Sequence, residues 1–281
     1  MKRFRWLVAT SGILALTATA ALVAGAAGAS AANGLPTLTM ALNGKSVVVG
    51  GSMVSGAVNV QTTVTGEAQG GPALVLLKPG EPFSVFGAAV AAVNAHHGDL
   101  NYIDPYGSLI YDGLANKGTS TEQTELPAGN YIAIDSNTNG APPHTTFTVT
   151  QSAAPASLPK PQATIASIDF GFTGPKTLHD GELVAFVNDG FVVHMDVWEK
   201  VKIMADAKLL VKGLLANSSQ RKLGKYITAE GGFANPMSTD GLLETVITEP
   251  PGIYVQDCFM NAQDGRLHTQ LGMERIIKIV K

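Results

Sequence analysis

From Leu35 onward the apolar and polar positions alternate over short distances, and the pattern is repeatedly interrupted. Runs rich in Val, Ile, Thr and Tyr at 47–49, 57–64, 73–77, 130–134 and 145–150 are separated by Gly, Asn, Asp and Pro turns. The same texture resumes at 164–170, 182–188, 195–201, 242–247, 253–259 and 275–280. Two segments carry helical spacing instead. At 82–95, Phe86, Val90 and Val93 fall at i, i+4 and i+7 behind a proline suited to the first turn, and at 205–216 Ala207, Val211 and Leu214 line up in the same way. This pattern predicts an all-β fold of Greek-key sandwiches, with one short helical insertion in each half. The stretch 151–162 has no periodicity and is rich in Pro, Ala and Ser, so it reads as a linker between domains at 33–150 and 163–281.

The two halves also resemble each other. Pro127-Ala-Gly129-Asn-Tyr131-Ile-Ala-Ile-Asp135 parallels Pro251-Gly252-Ile-Tyr254-Val-Gln-Asp-Cys258, and His144 and His268 follow the two tyrosines by 13 and 14 residues. Aligning 71–77 with 191–198 extends the match. On that alignment Asp135 stands where Cys258 is, Ala73 where His194 is, and His144 echoes His268. The shared Gly and Tyr residues are then scaffold, and the differences mark chemistry.

The N-terminus changes the picture of the compartment. Lys2, Arg3 and Arg5 precede an apolar stretch from Trp6 to about Ala27, and Ala29-Ser30-Ala31 offers a small-x-small cleavage site. Residues 1–32 therefore read as a secretory signal peptide, which implies a secreted or extracytoplasmic, cell-envelope location and no membrane insertion after cleavage. Nineteen basic residues against 22 acidic ones, with no run of either sign, exclude an electrostatic footprint for nucleic acid or anionic lipid.

Exported proteins normally use cysteines in pairs, yet this chain has one. Cys258 is thus an inert buried thiol, a partner for another chain, or a thiolate held by a metal. Its neighbours favour the last reading. His268 and Met273 follow it in the C-terminal hairpin, and His194 begins a strand that a Greek key can lay beside that hairpin. Two imidazoles, a thiolate and a weak thioether form a ligand set for a one-electron copper site.

At these residues, in Phe186-Val-Asn188-x-Gly190-Phe-x-x-His194, Gly252-x-Tyr254-x-x-x-Cys258 and His268-x-x-x-Gly272-Met273, the second half resembles the cupredoxin family, in particular its plastocyanin-like members. The resemblance implies two tandem cupredoxin-like sandwiches, the first a degenerate copy. It also implies one copper ion bound by His194, Cys258 and His268 with Met273 as the long axial ligand. The implied activity is electron transfer with a larger redox partner protein, not catalysis.

Two departures from the family pattern stand out. Nine residues, 259–267, separate Cys258 from His268, a longer loop than the family uses. Gln256 shares a strand face with Cys258, which predicts a wetter pocket. Multicopper oxidases and copper nitrite reductases join similar domains but need further histidines, commonly beside the cysteine. Here Asp257 and Phe259 flank it, which argues against a second copper centre and oxidase activity. A metal-free extracytoplasmic binding or structural module, and a copper storage or delivery protein, are the alternative functions. His96-His97 and His179 read as exposed loop residues, and Trp198 as core.

Overall fold

The computed structural model describes residues 34–138 and 141–281. Residues 1–32, where a signal peptide is expected, lie outside the described residues. In the first half the strands are β1 (Thr37–Leu42), β2 (Val47–Gly51), β3 (Gly56–Gly70), β4 (Pro72–Leu77), β5 (Gly107–Asp112), β6 (Ala115–Leu126), β7 (Gly129–Asp135) and β8 (His144–Val149), with helix α1 (Phe83–Ala92) between β4 and β5. The second half has β9 (Ala163–Ile168), β10 (Gly171–Thr173), β11 (Thr177–His179), β12 (Leu183–Asn188), β13 (His194–Val201), β14 (Ile227–Met237), β15 (Leu242–Val246), β16 (Gly252–Asp257) and β17 (Glu274–Val280), with helix α2 (Met204–Leu215) between β13 and β14.

Strand alternation does the work the sequence pattern suggests. In β1 Leu38, Met40 and Leu42 turn inward, each 1% exposed or less, and burying each contributes about 1.5–3 kcal/mol relative to exposure. The chain is all-β apart from its short helices, and it is duplicated. One sheet of the first half runs β2-β1-β3-β6 and the other β5-β4-β7-β8; the second half repeats them as β10-β9-β12-β15 and β14-β13-β16-β17, with β11 added at the edge. Even the parallel pairs recur, β1 with β3 and β9 with β12.

The halves are joined more closely than a linker alone would join them. β6 and β15 meet at Gln123 and Glu244, so the first sheets fuse into a single eight-stranded sheet. Thr124 Oγ1 donates to the Leu242 carbonyl at 2.6 Å across that seam. Residues 151–162 form no strand or helix, but they are docked: Ala57 N–H donates to the Ala156 carbonyl and Ser152 N–H to Ser55 Oγ, both at 2.9 Å.

Each half also carries the same corner. The Tyr131 hydroxyl donates to the Pro127 carbonyl at 2.7 Å and the Tyr254 hydroxyl to the Pro250 carbonyl at 2.6 Å, each reaching four residues back. This is the tyrosine corner of β-sandwiches, and it fixes the entry to β7 and β16.

Strand register corrects two correspondences of the sequence alignment. Leu76 pairs with Tyr131 and Ala73 with Ile134, while Lys200 pairs with Tyr254 and Val197 with Asp257. Ala73 is therefore the counterpart of Val197, and the counterpart of His194 is Gly70, which offers no side chain. Likewise His144 pairs with Ile134 and Glu274 with Asp257, so His144 corresponds to Glu274 and not to His268. Variable connections between the shared motifs let an ungapped comparison slip by a few residues. The match of Asp135 with Cys258 stands, each four residues after its tyrosine.

Candidate metal centre

Four segments of the second half deliver the candidate ligands. His194 is the first residue of β13, Cys258 follows β16, His268 opens a short 3₁₀ turn (His268–Leu271), and Met273 immediately precedes β17. All four are fully buried. The loop into β13 is organised by Asn188, which is itself buried: its amide donates to the Val192 and Met237 carbonyls at 2.8 and 2.7 Å, and its Oδ1 accepts the Gly190 N–H at 3.0 Å. A Cβ at Gly190 would lie 2.8 Å from His194 Nε2, so only glycine lets this loop pack on the imidazole.

The long loop after Cys258 folds back by its own bonds. Ala262 N–H donates to the Arg266 carbonyl and His268 N–H to the Met260 carbonyl, both at 2.8 Å. Gly272, at φ 96°, ends the 3₁₀ turn and sends Met273 back beneath Cys258. There the Cys258 N–H donates to the Met273 carbonyl at 3.3 Å, and both side chains belong to one buried apolar cluster.

The donor atoms converge. His194 Nδ1 and His268 Nδ1 are 3.2 Å apart, Cys258 Sγ is 3.3 Å from His268 Nδ1, and it is 3.9 Å from His194 Nδ1. A point in their plane lies roughly 2 Å from all three, close to the length of a metal–nitrogen bond and slightly short for metal–sulfur. Among the described residues this is the single group of three or more His, Cys, Asp or Glu side chains close enough to share an ion. The trigonal arrangement of two imidazoles and a thiol, with a thioether nearby, fits a copper ion.

Burial sets the protonation of these groups. It holds His194 down to about 3, helped by the neighbouring His268, and His268 down to about 4, against a smaller opposing pull from Asp169. Both rings are therefore neutral near pH 7 and keep a lone pair for a metal. Burial also pushes the Cys258 thiol up to about 12, partly offset by the Met195 and Met260 N–H groups, while Asp257 and Asp196 raise it further. A bound cation would reverse that order and take the thiolate.

Two residues that the sequence reading passed over cover the imidazoles. The hairpin between β9 and β10 turns at Asp169 and Phe170, with Phe170 at φ 58°, a left-handed conformation unusual for an aromatic residue. Phe170 stands edge-on to the His268 ring at 5.0 Å. Asp169 accepts the Phe191 N–H at 2.8 Å and lies 3.9 Å from His194 Nε2. The Nε2 atoms of both histidines are buried without a hydrogen-bond partner, and Asp169 lies on the side of His194 that would carry a proton when Nδ1 faces a metal.

Gln256, expected to make the pocket wetter, is engaged by other side chains. Gln256 is fully buried; its amide nitrogen donates to both Asp196 oxygens at 2.8 Å, and its carbonyl oxygen accepts from Arg275 Nε at 2.6 Å. Asp196 also takes the Trp198 indole N–H at 2.7 Å, and Trp198 is core, as expected. These mutual bonds satisfy the polar groups without solvent.

The remaining histidines are elsewhere. His144 is exposed, with Nδ1 3.1 Å from the Pro142 carbonyl, and His179 is exposed at the end of β11. His96 and His97 are exposed as expected, but they also line a cleft of about 410 Å³ with Tyr102, Tyr106 and Gln263.

In the first half the equivalent position is altered rather than empty. Asp135 Oδ1 accepts the Gly71 N–H at 3.0 Å, and in the second half the counterpart Met195 N–H points at Cys258 Sγ at 3.4 Å. The scaffold bond is common to both; the thiol and the imidazoles are not.

No family model and no curated protein matches the chain. Among solved structures it is similar to the dithionite-reduced auracyanin of Roseiflexus castenholzii (19% identity, 42% of this chain and 95% of that one, TM-score 0.26). It is also similar to a purple cupredoxin of Nitrosopumilus maritimus (16% identity, 42% and 100%, TM-score 0.25). A copper-containing nitrite reductase of Thermus scotoductus SA-01 matches across both halves (12% identity, 87% and 67%, TM-score 0.25).

Proposed function

We propose that this chain is an exported, cupredoxin-like electron carrier that holds one copper ion at His194, Cys258 and His268, with Met273 as a weak fourth ligand. The observation that carries the reading is the convergence of two Nδ1 atoms and one Sγ, 3.2 to 3.9 Å apart, in a buried pocket. Bound there, copper would supply a one-electron couple between Cu(I) and Cu(II).

The protein's part is to hold the donors still. His194 and Cys258 stand at the ends of paired strands, His268 is fixed by a 3₁₀ turn, and Phe170 and Asp169 close over the rings. A pocket assembled before the metal arrives has little to reorganise when the charge on the metal changes. The neutral imidazoles leave the thiolate as the one anionic ligand. A buried, fixed donor set of this kind supports a carrier handing electrons to a redox partner protein.

Voltammetry of the copper-loaded mature chain tests this reading. A reversible one-electron wave is expected. Tight copper binding with no reversible wave would assign the protein to storage or delivery, and failure to take up copper would leave a metal-free module.

A further inference from the structure

We infer that the first half, which among its described residues has no ligand set of its own, positions the metal centre of the second: Asn101 and the main chain of His97 and Gly98 clamp the two segments that carry His194, Cys258 and His268. This inference rests on the copper reading for its meaning but not for its geometry.

The clamp is built from the connection between α1 and β5. Asp99 Oδ1 accepts both the Asn101 N–H at 3.0 Å and the Asn101 side-chain amide at 2.5 Å. That orientation commits the amide nitrogen inward and turns Oδ1 toward the second half, where it accepts the Val193 N–H at 2.6 Å. Val193 is buried and immediately precedes His194, so the bond fixes the point at which β13 begins.

The second contact holds the long loop. Asn261, three residues after Cys258, donates from Nδ2 to the His97 carbonyl at 2.6 Å. His97 and Gly98 both adopt left-handed backbone, at φ 60° and 77°, which turns this carbonyl outward. Gly98 is needed for the approach as well, since a Cβ there would lie 2.7 Å from Asn261 Nδ2. Gly265, further along the same loop, rests on the His97 side chain.

Packing points the same way. Val193, Met195, Cys258, Met260 and Met273 share one buried cluster with Phe86, Leu100 and Ile103 of the first half. A nine-residue connection between two ligands would otherwise carry closure entropy into metal binding. Tied to the neighbouring half, it is ordered before any metal binds.

The test uses the full mature chain and three variants: Asn101→Ala, Asn261→Ala, and Thr124→Val, which removes the bond between the halves at the β6–β15 seam, away from the ligands. In the metal-free proteins, the rate at which a small aromatic disulfide labels Cys258 is measured. Asn101→Ala and Asn261→Ala are each expected to raise it about tenfold, the scale of one lost hydrogen bond. Thr124→Val is expected to leave it within about twofold. In the copper forms, the first two variants should shift the visible band and the reduction potential while Thr124→Val does not. Unchanged labelling in both asparagine variants, or an equal rise in Thr124→Val, would overturn the clamp. If the wild-type chain takes up no copper, the copper reading fails and the labelling rates alone decide this one.

Discussion

Replacing Gly190 by alanine perturbs the candidate metal centre without substituting a ligand. The added Cβ would lie 2.8 Å from His194 Nε2, 3.0 Å from its Cδ2 and 2.9 Å from Asp169 Oδ1, whereas ordinary contact begins at 3.4 Å. Asp169 is 41% exposed and can swing outward, but the His194 ring is fully buried and has no free direction. The imidazole or the loop must therefore retreat by roughly half an ångström, an overpacking that costs about 1–3 kcal/mol. Because the displaced atom belongs to a ligand ring, the loss should fall on metal binding as well as on folding. The assay is a competition between the protein and a chelator for copper, run beside urea denaturation of the metal-free form. Copper affinity is expected to fall about 10- to 100-fold, with a lowered urea midpoint. Wild-type affinity and an unchanged midpoint would refute the claim that the 188–193 loop holds His194 in place.

Three further outcomes are expected. Tyr131→Phe and Tyr254→Phe each remove one corner bond and should cost about 1 kcal/mol in urea denaturation, and a loss at only one of the two would break the equivalence of the corners. Phe170→Gly relieves a left-handed aromatic and uncovers His268, so a chelator should strip copper faster from this variant while the metal-free fold keeps its stability. The pH dependence follows from burial, which raises Glu199 from 4.5 to about 8 and Glu67, Glu122 and Glu244 to about 7. The two site histidines, neutral when folded and about half-protonated at pH 6.5 when unfolded, pull the other way with roughly one proton between them, fewer than the four raised carboxyls hold in the folded state. The folded state binds more protons than the unfolded one, and stability falls as pH rises from 6.5 through 8; a urea midpoint that climbs over this range would contradict it.

How much of this was legible in the sequence depends on what holds each piece. Strands rich in apolar and β-branched residues, such as 57–64, 130–134 and 275–280, announce themselves by composition. β6 does not, since its Asn, Lys, Thr and Glu residues are held by the backbone ladder between β3 and β15 and not by an apolar face. β14 is similarly disguised by Gly231, Gly232 and Pro236. The candidate ligands were readable because the single cysteine lies in the second half with His268 and Met273 close behind it. The duplication was readable from its tyrosine motifs, but its register was not, which is why Ala73 and His144 were matched to the wrong partners. Correcting them strengthens the contrast, because His268 then has no counterpart in the first half. Asp169, Phe170, Asn101 and Asn261 carry no local signature. Their contacts join positions far apart in the chain, 92 residues for Asn101 with Val193 and 164 for Asn261 with His97.

The most direct test of the central claim is the visible spectrum of the mature chain titrated with Cu(II), read against bound copper per chain. One copper per chain and an intense thiolate-to-copper band are expected, with the band lost in Cys258→Ser and the affinity lost in His194→Ala. No uptake, or copper bound without the band in the wild-type protein, would contradict a centre built on His194, Cys258 and His268.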